Sequence, residues 1–134
     1  NIPLFIEYSN KESKKTIESL ANELSNQIFT LTSEQRKYVH LSGVFACNFV
    51  NQMYELANQM VEKVQLPFAV LLPIIEETCI KVHTMQPKEA QTGPAIRFDQ
   101  NVMNKHLDLI ADEDTKALYR LISKSIYDSH KSKK

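Results

Sequence analysis

The sequence predicts a mainly α fold, a helical domain preceded by a short strand-helix-strand unit. Three observations point to it. From Ser33 to about Gln65 the chain keeps helical periodicity with no proline and one glycine, Gly43. Ahead of that stretch, two short apolar runs flank a segment whose Ile17, Leu20, Ala21 and Leu24 repeat at helical spacing. Beyond it, two amphipathic stretches follow a segment that holds Pro87, Gly93 and Pro94.

In chain order, Ile2-Pro3-Leu4-Phe5-Ile6 is a compact apolar run with a proline near its start, which suits a strand buried on both faces. Ser9 or Asn10 can cap the helix that follows, and Gln27-Ile28-Phe29-Thr30-Leu31 reads as a second strand. Strand, helix and strand in about thirty residues is the pattern of a parallel crossover unit, which belongs to a larger sheet. Two strands alone are marginal. Thr32 and Gln35 have the spacing of a capping box, so a helix of eight or nine turns starts at Ser33. Between Leu41 and Met53 it is apolar on nearly every side, as for a helix running through the middle of an assembly. Leu66-Pro67 restarts the chain with Pro67 at a first-turn position, and Pro73 is expected to bend or divide the helix reaching about Met85. Residues 86–97 read as loop. Asp99 and Asp112 cap two last helices, with inward stripes Val102, Met103, His106, Leu107, Ile110 and Leu118, Leu121, Ile122, Ile126.

At 134 residues there is room for one domain with a cooperative core. Sixteen basic and sixteen acidic side chains cancel, so no global field attracts phosphate backbones or anionic lipid, and neither nucleic acid nor membrane is an expected partner. The basic ending 131–134 reads as a disordered, solvated tail without a role. Cys47 and Cys79 each lie in an apolar run, without a second cysteine or a histidine at metal-ligand spacing, and read as buried thiols of a reducing compartment. No metal motif is present. The chain shows no signal peptide, and its apolar runs are too short or interrupted to cross a bilayer, so the cytoplasm is the expected location. Two glycines, Gly43 and Gly93, leave no glycine-rich phosphate cradle.

A few residues have chemical potential. Asn48 sits in the most apolar part of the long helix, where an unpaired buried amide would cost about 1 to 3 kcal/mol, so it needs either a neighbouring backbone or a ligand. His40 lies two turns earlier, about 80° away around an α-helix, and could line an adjacent wall of the same cleft, with Arg36 one turn before it as a polar entry. Gln91-Thr92-Gly93-Pro94 is a constrained turn that could bind a carboxylate or phosphate, or simply connect. Glu76 and Glu77 diverge by about 100° and make no acid/base pair with each other. Ser42 faces away from His40, so no nucleophilic pair forms there. His83 and His106 read as structural.

Taken as a set, Ser33-Glu34-Gln35-Arg36, His40, Phe45-Ala46-Cys47-Asn48-Phe49, Leu66-Pro67 and Gln91-Thr92-Gly93-Pro94-Ala95 resemble the C-terminal part of bacterial Rossmann-like oxidoreductase-family proteins. Their helical domain is a domain of unknown function. The resemblance covers nearly the whole chain. It implies a helical dimerisation domain of the phosphogluconate-dehydrogenase C-terminal type, similar also to those of pyrroline-carboxylate reductase and ketopantoate reductase. Residues 1–32 would be a remnant of a Rossmann sheet and 33–130 the dimerisation and substrate domain. The resemblance also implies a homodimer, a small-molecule substrate, and NADP or NAD in the intact protein, with none expected on this chain alone. Asn48 matches a substrate-side asparagine, Thr92-Gly93 a substrate-facing turn, and His40 the family's histidine, which leaves His40 and Asn48 as candidate catalytic residues. Hydroxyacid dehydrogenases of the superfamily often carry a lysine one turn before that asparagine; here the position is Val44.

The expected function is therefore the helical, substrate-pocket portion of an NAD(P)-dependent oxidoreductase, inactive without its nucleotide-binding half. The alternative is a non-enzymatic helical dimerisation module in which Asn48 fixes packing register.

Overall fold

A computed structural model describes residues 2–131. It is mostly helical, with one two-stranded parallel sheet ahead of the helices. The chain forms two compact units, Asn1–Phe68 and Ala69–Lys134.

In the first unit, β1 (Leu4–Ile6) and β2 (Ile28–Thr30) pair in parallel, with Phe5 opposite Phe29. Between them runs α1 (Lys11–Leu24), packed against β1. Asn10 is its cap: the amide oxygen accepts from the Glu12 and Ser13 backbones at 3.0 and 2.8 Å, and the Ser13 hydroxyl accepts from the Asn10 N–H at 3.2 Å. Ala21 and Ser25 are buried, and the Ser25 hydroxyl donates to the Ile2 carbonyl at 2.6 Å, fixing the end of α1 to the start of the sheet. The first strand was expected to be covered on both faces, but it is covered on one. Leu4, Ile6 and Ile28 are half-buried, whereas Phe5 and Phe29 on the opposite face are exposed. Strand alternation puts these two sets on opposite sides, and α1 covers only one.

The long helix follows as one rod: α2 (Ser33–Gly43), a π-helical segment Val44–Phe49, and α3 (Val50–Glu62). The predicted capping box at Thr32 is formed, with Gln35 N–H donating to the Thr32 hydroxyl at 3.2 Å and the Gln35 side-chain oxygen accepting from Thr32 N–H at 2.8 Å. The rod ends in a Schellman arrangement: Leu66 N–H donates to the Val61 carbonyl and Gln65 N–H to that of Glu62, with Gln65 at φ 60°. Gln65 occupies the left-handed position that glycine usually takes, and Pro67 completes the stop.

Pro67 does not open the next helix. A 3-10 turn, Phe68–Leu71, precedes α4 (Leu72–Thr84), and Pro73 takes that helix's first-turn position, where its missing N–H costs nothing. Pro73 therefore starts a helix rather than bending one. Within the expected loop 86–97 there is a single helical turn, α5 (Pro87–Ala90). Asp99 caps α6 (Gln100–Leu109), with Val102 N–H donating to its carboxylate at 3.2 Å, and Asp112 accepts from Thr115 N–H at 2.7 Å at the start of α7 (Glu113–Lys131).

The inward stripes of the last two helices hold at Val102, Met103, Leu107, Ile110, Leu118 and Ile126 and fail at His106, Leu121 and Ile122. Ile110 and Ala95 are buried, and Val102, Met103 and Leu107 are half-buried, but His106 is exposed. On α7 the buried residue is Ser123, at 5% exposure, while Leu121 stands at 67%. Tyr127 lies inward instead, its ring stacked on Phe98 at 4.5 Å. Of the expected basic tail, Lys131 is the last residue of α7, and 132–134 lie outside the described residues.

No large hydrophobic side chain is fully buried among the described residues. Both cysteines, expected as buried thiols, are exposed. The rod explains this for Cys47: Tyr38, Leu41, Phe45 and Phe49 are all at least half exposed, so nothing among the described residues covers the apolar surface around Cys47. Among the described residues no helix is long and apolar enough to cross a membrane.

Candidate functional site

The β1 strand ends at Ile6, and the chain then turns through Glu7, Tyr8 and Ser9 into α1, while α2 begins alongside. These elements enclose an open cleft of ≈ 470 Å³ lined by Glu7, Tyr8, Ser9, Ser13, Ile17 and Arg36. Its base is an ionic clasp. Arg36 Nη2 lies 2.6 Å from Glu7 Oε2, and Ser33 donates to the same carboxylate through its N–H at 3.1 Å and its hydroxyl at 2.7 Å. Arg36 also donates to the Ser33 hydroxyl at 2.9 Å and to the Leu31 carbonyl at 3.3 Å. The Ser33 hydrogen bonds first, and then Arg36, hold the Glu7 carboxyl below its ordinary range. Glu7 is thus an anion near neutrality, and its lone pairs are already engaged. The arrangement suits a brace between sheet and rod better than proton transfer.

On the cleft's flank, Lys14 reaches over the Tyr8 ring at 5.3 Å and lies 3.7 Å from Glu18. The Tyr8 hydrogen bond, followed by the Glu18 charge, raises its pKa. Glu7 escaped the reading of the sequence because its partners lie 26 and 29 positions away, beyond any local pattern. Arg36, read as a polar entry toward His40, instead serves this clasp.

His40 and Asn48 both lie on the rod. Both are exposed, and among the described residues neither side chain has a hydrogen-bond partner. The expectation that Asn48 is buried and must be paired is therefore corrected: at the chain's surface its amide is free to hydrate, and no desolvation cost arises. Asn48 falls inside the π-helical segment Val44–Phe49. A π turn advances less per residue than an α turn, so the separation of His40 and Asn48 around the axis is smaller than the α-helical figure of about 80°. They remain about 12 Å apart along the axis, too far to bond each other but within reach of one elongated ligand. Beside Asn48, the Phe45 and Phe49 rings meet edge to face at 5.1 Å.

Thr92 and Gly93 belong to the second unit. Gly93 adopts φ 107°, where a side chain is strained, and Gln91 Nε2 donates to the Thr92 carbonyl at 3.1 Å. Nearby in sequence, Phe98 also takes a left-handed φ of 52°. His106 Nδ1 is 2.8 Å from the Tyr119 hydroxyl, and His83 Nε2 lies 3.9 Å from Cys79 Sγ, so Cys79 does have a histidine one turn away, contrary to the expectation that it has none at ligand spacing. Glu77 pairs with Lys81 at 3.3 Å. His130 Nε2, 2.9 Å from the Lys88 carbonyl, ties α7 to α5. Among the described residues no group of three or more potential ligands could hold a metal ion.

A dinucleotide's pyrophosphate needs close backbone approach at a strand-to-helix turn. The turn from β1 to α1 has no glycine, Gly43 lies within the rod, and Gly93 lies in a loop, so these residues do not fit that group.

Comparison with known proteins gives the fold a context. No curated protein matches the chain. A Bacteroides fragilis protein named "putative NADP oxidoreductase" has a solved structure similar to this one, with 50% sequence identity over 96% of this chain and a TM-score of 0.88. A Thermotoga maritima protein is 22% identical over 92% of the chain with a TM-score of 0.74, a likeness of fold alone. The chain spans about half the length of each, 50% and 51%. The family described as "Domain of unknown function (DUF2520)" matches residues 2–126, nearly the whole described chain, and the protein belongs to that family.

Proposed function

We propose that this chain is the helical, substrate-side portion of an NADP-dependent oxidoreductase that acts on a small molecule. One observation carries the reading: 50% identity across 96% of the chain to the Bacteroides fragilis protein named for that activity. Because the chain spans half of that protein's length, the dinucleotide is assigned to the other half, in keeping with the absence of a glycine cradle here. On this reading residues 1–32 are part of the nucleotide-binding domain's sheet, and 33–130 form the dimerisation and substrate domain.

His40 and Asn48 are proposed as the candidate catalytic pair on the rod, and Asn48, Thr92 and Gly93 as substrate-binding. Their support is chemical. Among the described residues the Asn48 amide has a donor and an acceptor without partners, and it sits in a π-helical segment, a feature common at functional sites. His40 presents an exposed imidazole, whose ring nitrogens can donate or accept a hydrogen bond. The bare apolar strip Tyr38, Leu41, Phe45 and Phe49 supports a homodimer formed along the rod.

Titrating the intact protein with NADPH tests the reading. Saturable micromolar binding, with the isolated chain showing none, is the expected result. Intact protein that ignores both NADPH and NADH would leave only the dimerisation module.

A further inference from the structure

The loop that carries Thr92 and Gly93 is held more firmly than a connection between two helices requires. Both of its ends are tied to α7. Before it, the Lys88 carbonyl accepts from His130 Nε2 at 2.9 Å; after it, the Phe98 ring stacks on Tyr127 at 4.5 Å, and Tyr127 and His130 are one turn apart on the helix. Between the ties Ala95 is buried, and the chain folds back on itself, with Phe98 N–H donating to the Ala95 carbonyl at 3.1 Å and Asp99 N–H to that of Pro94 at 3.0 Å. Gly93 at φ 107° and Phe98 at φ 52° both lie in the left-handed region. For a bulky aromatic that conformation is costly and persists only where the surroundings hold it, as they do at ligand clamps.

What this loop presents is polar and unengaged. Arg97, immediately before the strained Phe98, is exposed, and its guanidinium has no ion pair or hydrogen bond among the described residues. The nearest carboxylate along the chain, Asp99, is committed to the cap of α6, whereas the other arginine described above, Arg36, is engaged by Glu7. Among the described residues the Thr92 hydroxyl and the Gly93 N–H also have no partner. A guanidinium is a planar fork of donors that matches two oxygens of a carboxylate or phosphate, and hydroxyl and backbone N–H groups extend such a site. Resting on the reading of Thr92 and Gly93 as substrate-binding, we propose that Arg97 is the anion-binding residue of that pocket, so that the small-molecule substrate carries a carboxylate or phosphate group. A dinucleotide's phosphates have the same chemistry, but the dinucleotide is assigned to the other half of the intact protein, which makes the substrate the source.

The test is calorimetric titration of the intact protein with oxalate and with inorganic phosphate, in the wild type, in R97Q and in K105Q, which removes an exposed cation of α6 as a control. R97Q should melt at the wild-type temperature, because Arg97 has no partner within the described chain to lose; R97K, which keeps the charge but not the fork, replaces it if R97Q does not fold. The expected result is saturable binding of at least one of the two anions, weakened about tenfold or more by R97Q and less than about twofold by K105Q, as for the loss of one charge-assisted contact. No saturable binding in the wild type, binding that R97Q leaves unchanged, or equal losses in R97Q and K105Q overturns the proposal. Titrations of R97Q with NADPH and NADH separate the two sources: unchanged affinity for both is expected, and weakening of either assigns Arg97 to the cofactor and overturns its role toward substrate. Arg97-dependent anion binding in a protein that ignores both nucleotides refutes the oxidoreductase reading and leaves the anion site standing, while nucleotide binding with a flat anion titration does the reverse.

Discussion

Glu7 connects the sheet to the rod through a carboxylate that is easier to deprotonate in the folded chain than in the unfolded one. Such a group contributes stability fully above its unfolded value and loses that contribution as pH falls through its lowered folded value. Glu7→Gln should therefore reduce stability at pH 7, and the two proteins should converge once the pH has fallen through the lowered folded value, which urea melts at several pH values would read. Two other residues are strained in the backbone. Gln65→Gly should stabilise by about 0.5 to 1 kcal/mol, since the Schellman hydrogen bonds remain and the left-handed penalty disappears. Phe98→Gly relieves the same kind of strain but removes the ring stacked on Tyr127. The ring is 41% exposed, so its stacking on Tyr127 and partial burial offset the φ penalty only narrowly, and net destabilisation of no more than about 1 kcal/mol is expected in thermal melts.

At the scale of the element, helix starts were legible in the sequence because their chemistry is local. Asn10, Thr32, Asp99 and Asp112 each satisfy backbone donors within three residues, as their positions predict. Asn10→Ala should cost about 1 kcal/mol in the urea unfolding of the first unit. The π-helical segment was not legible. Val44 to Phe49 reads as ordinary apolar helix, and nothing in it announces a wider turn. The π turn changes the phase of everything beyond it, so the facing of His40 and Asn48 could not be derived from spacing alone. The stripes on α6 and α7 were read from hydropathy, yet Ser123 is buried and Leu121 is not. Periodicity identifies an apolar side, but the choice within it depends on which neighbour packs there.

For the whole molecule, the sequence correctly marked which surfaces are apolar and misjudged what covers them. Cys47, Cys79 and the centre of the rod look like core in one dimension but are bare in the chain by itself. If the proposed homodimer forms along the rod, Phe45→Glu in the intact protein should weaken association by about 30-fold or more, as expected for losing an aromatic anchor, and sedimentation velocity would show monomer. Asn48→Ala should instead leave the dimer intact and reduce kcat/KM by about tenfold or more, the loss of one or two hydrogen bonds to substrate.

Gly43 interrupts the rod's surface with a patch of naked backbone, at φ −63°, and a methyl group built there would meet nothing within 4 Å. For the chain in isolation, Gly43→Ala should therefore be a gain of about 1 kcal/mol from helix propensity alone. Inside the full assembly the same methyl becomes a gauge of distance: it still helps if the adjoining surface stands off, and it harms if another main chain has come close enough to use the notch.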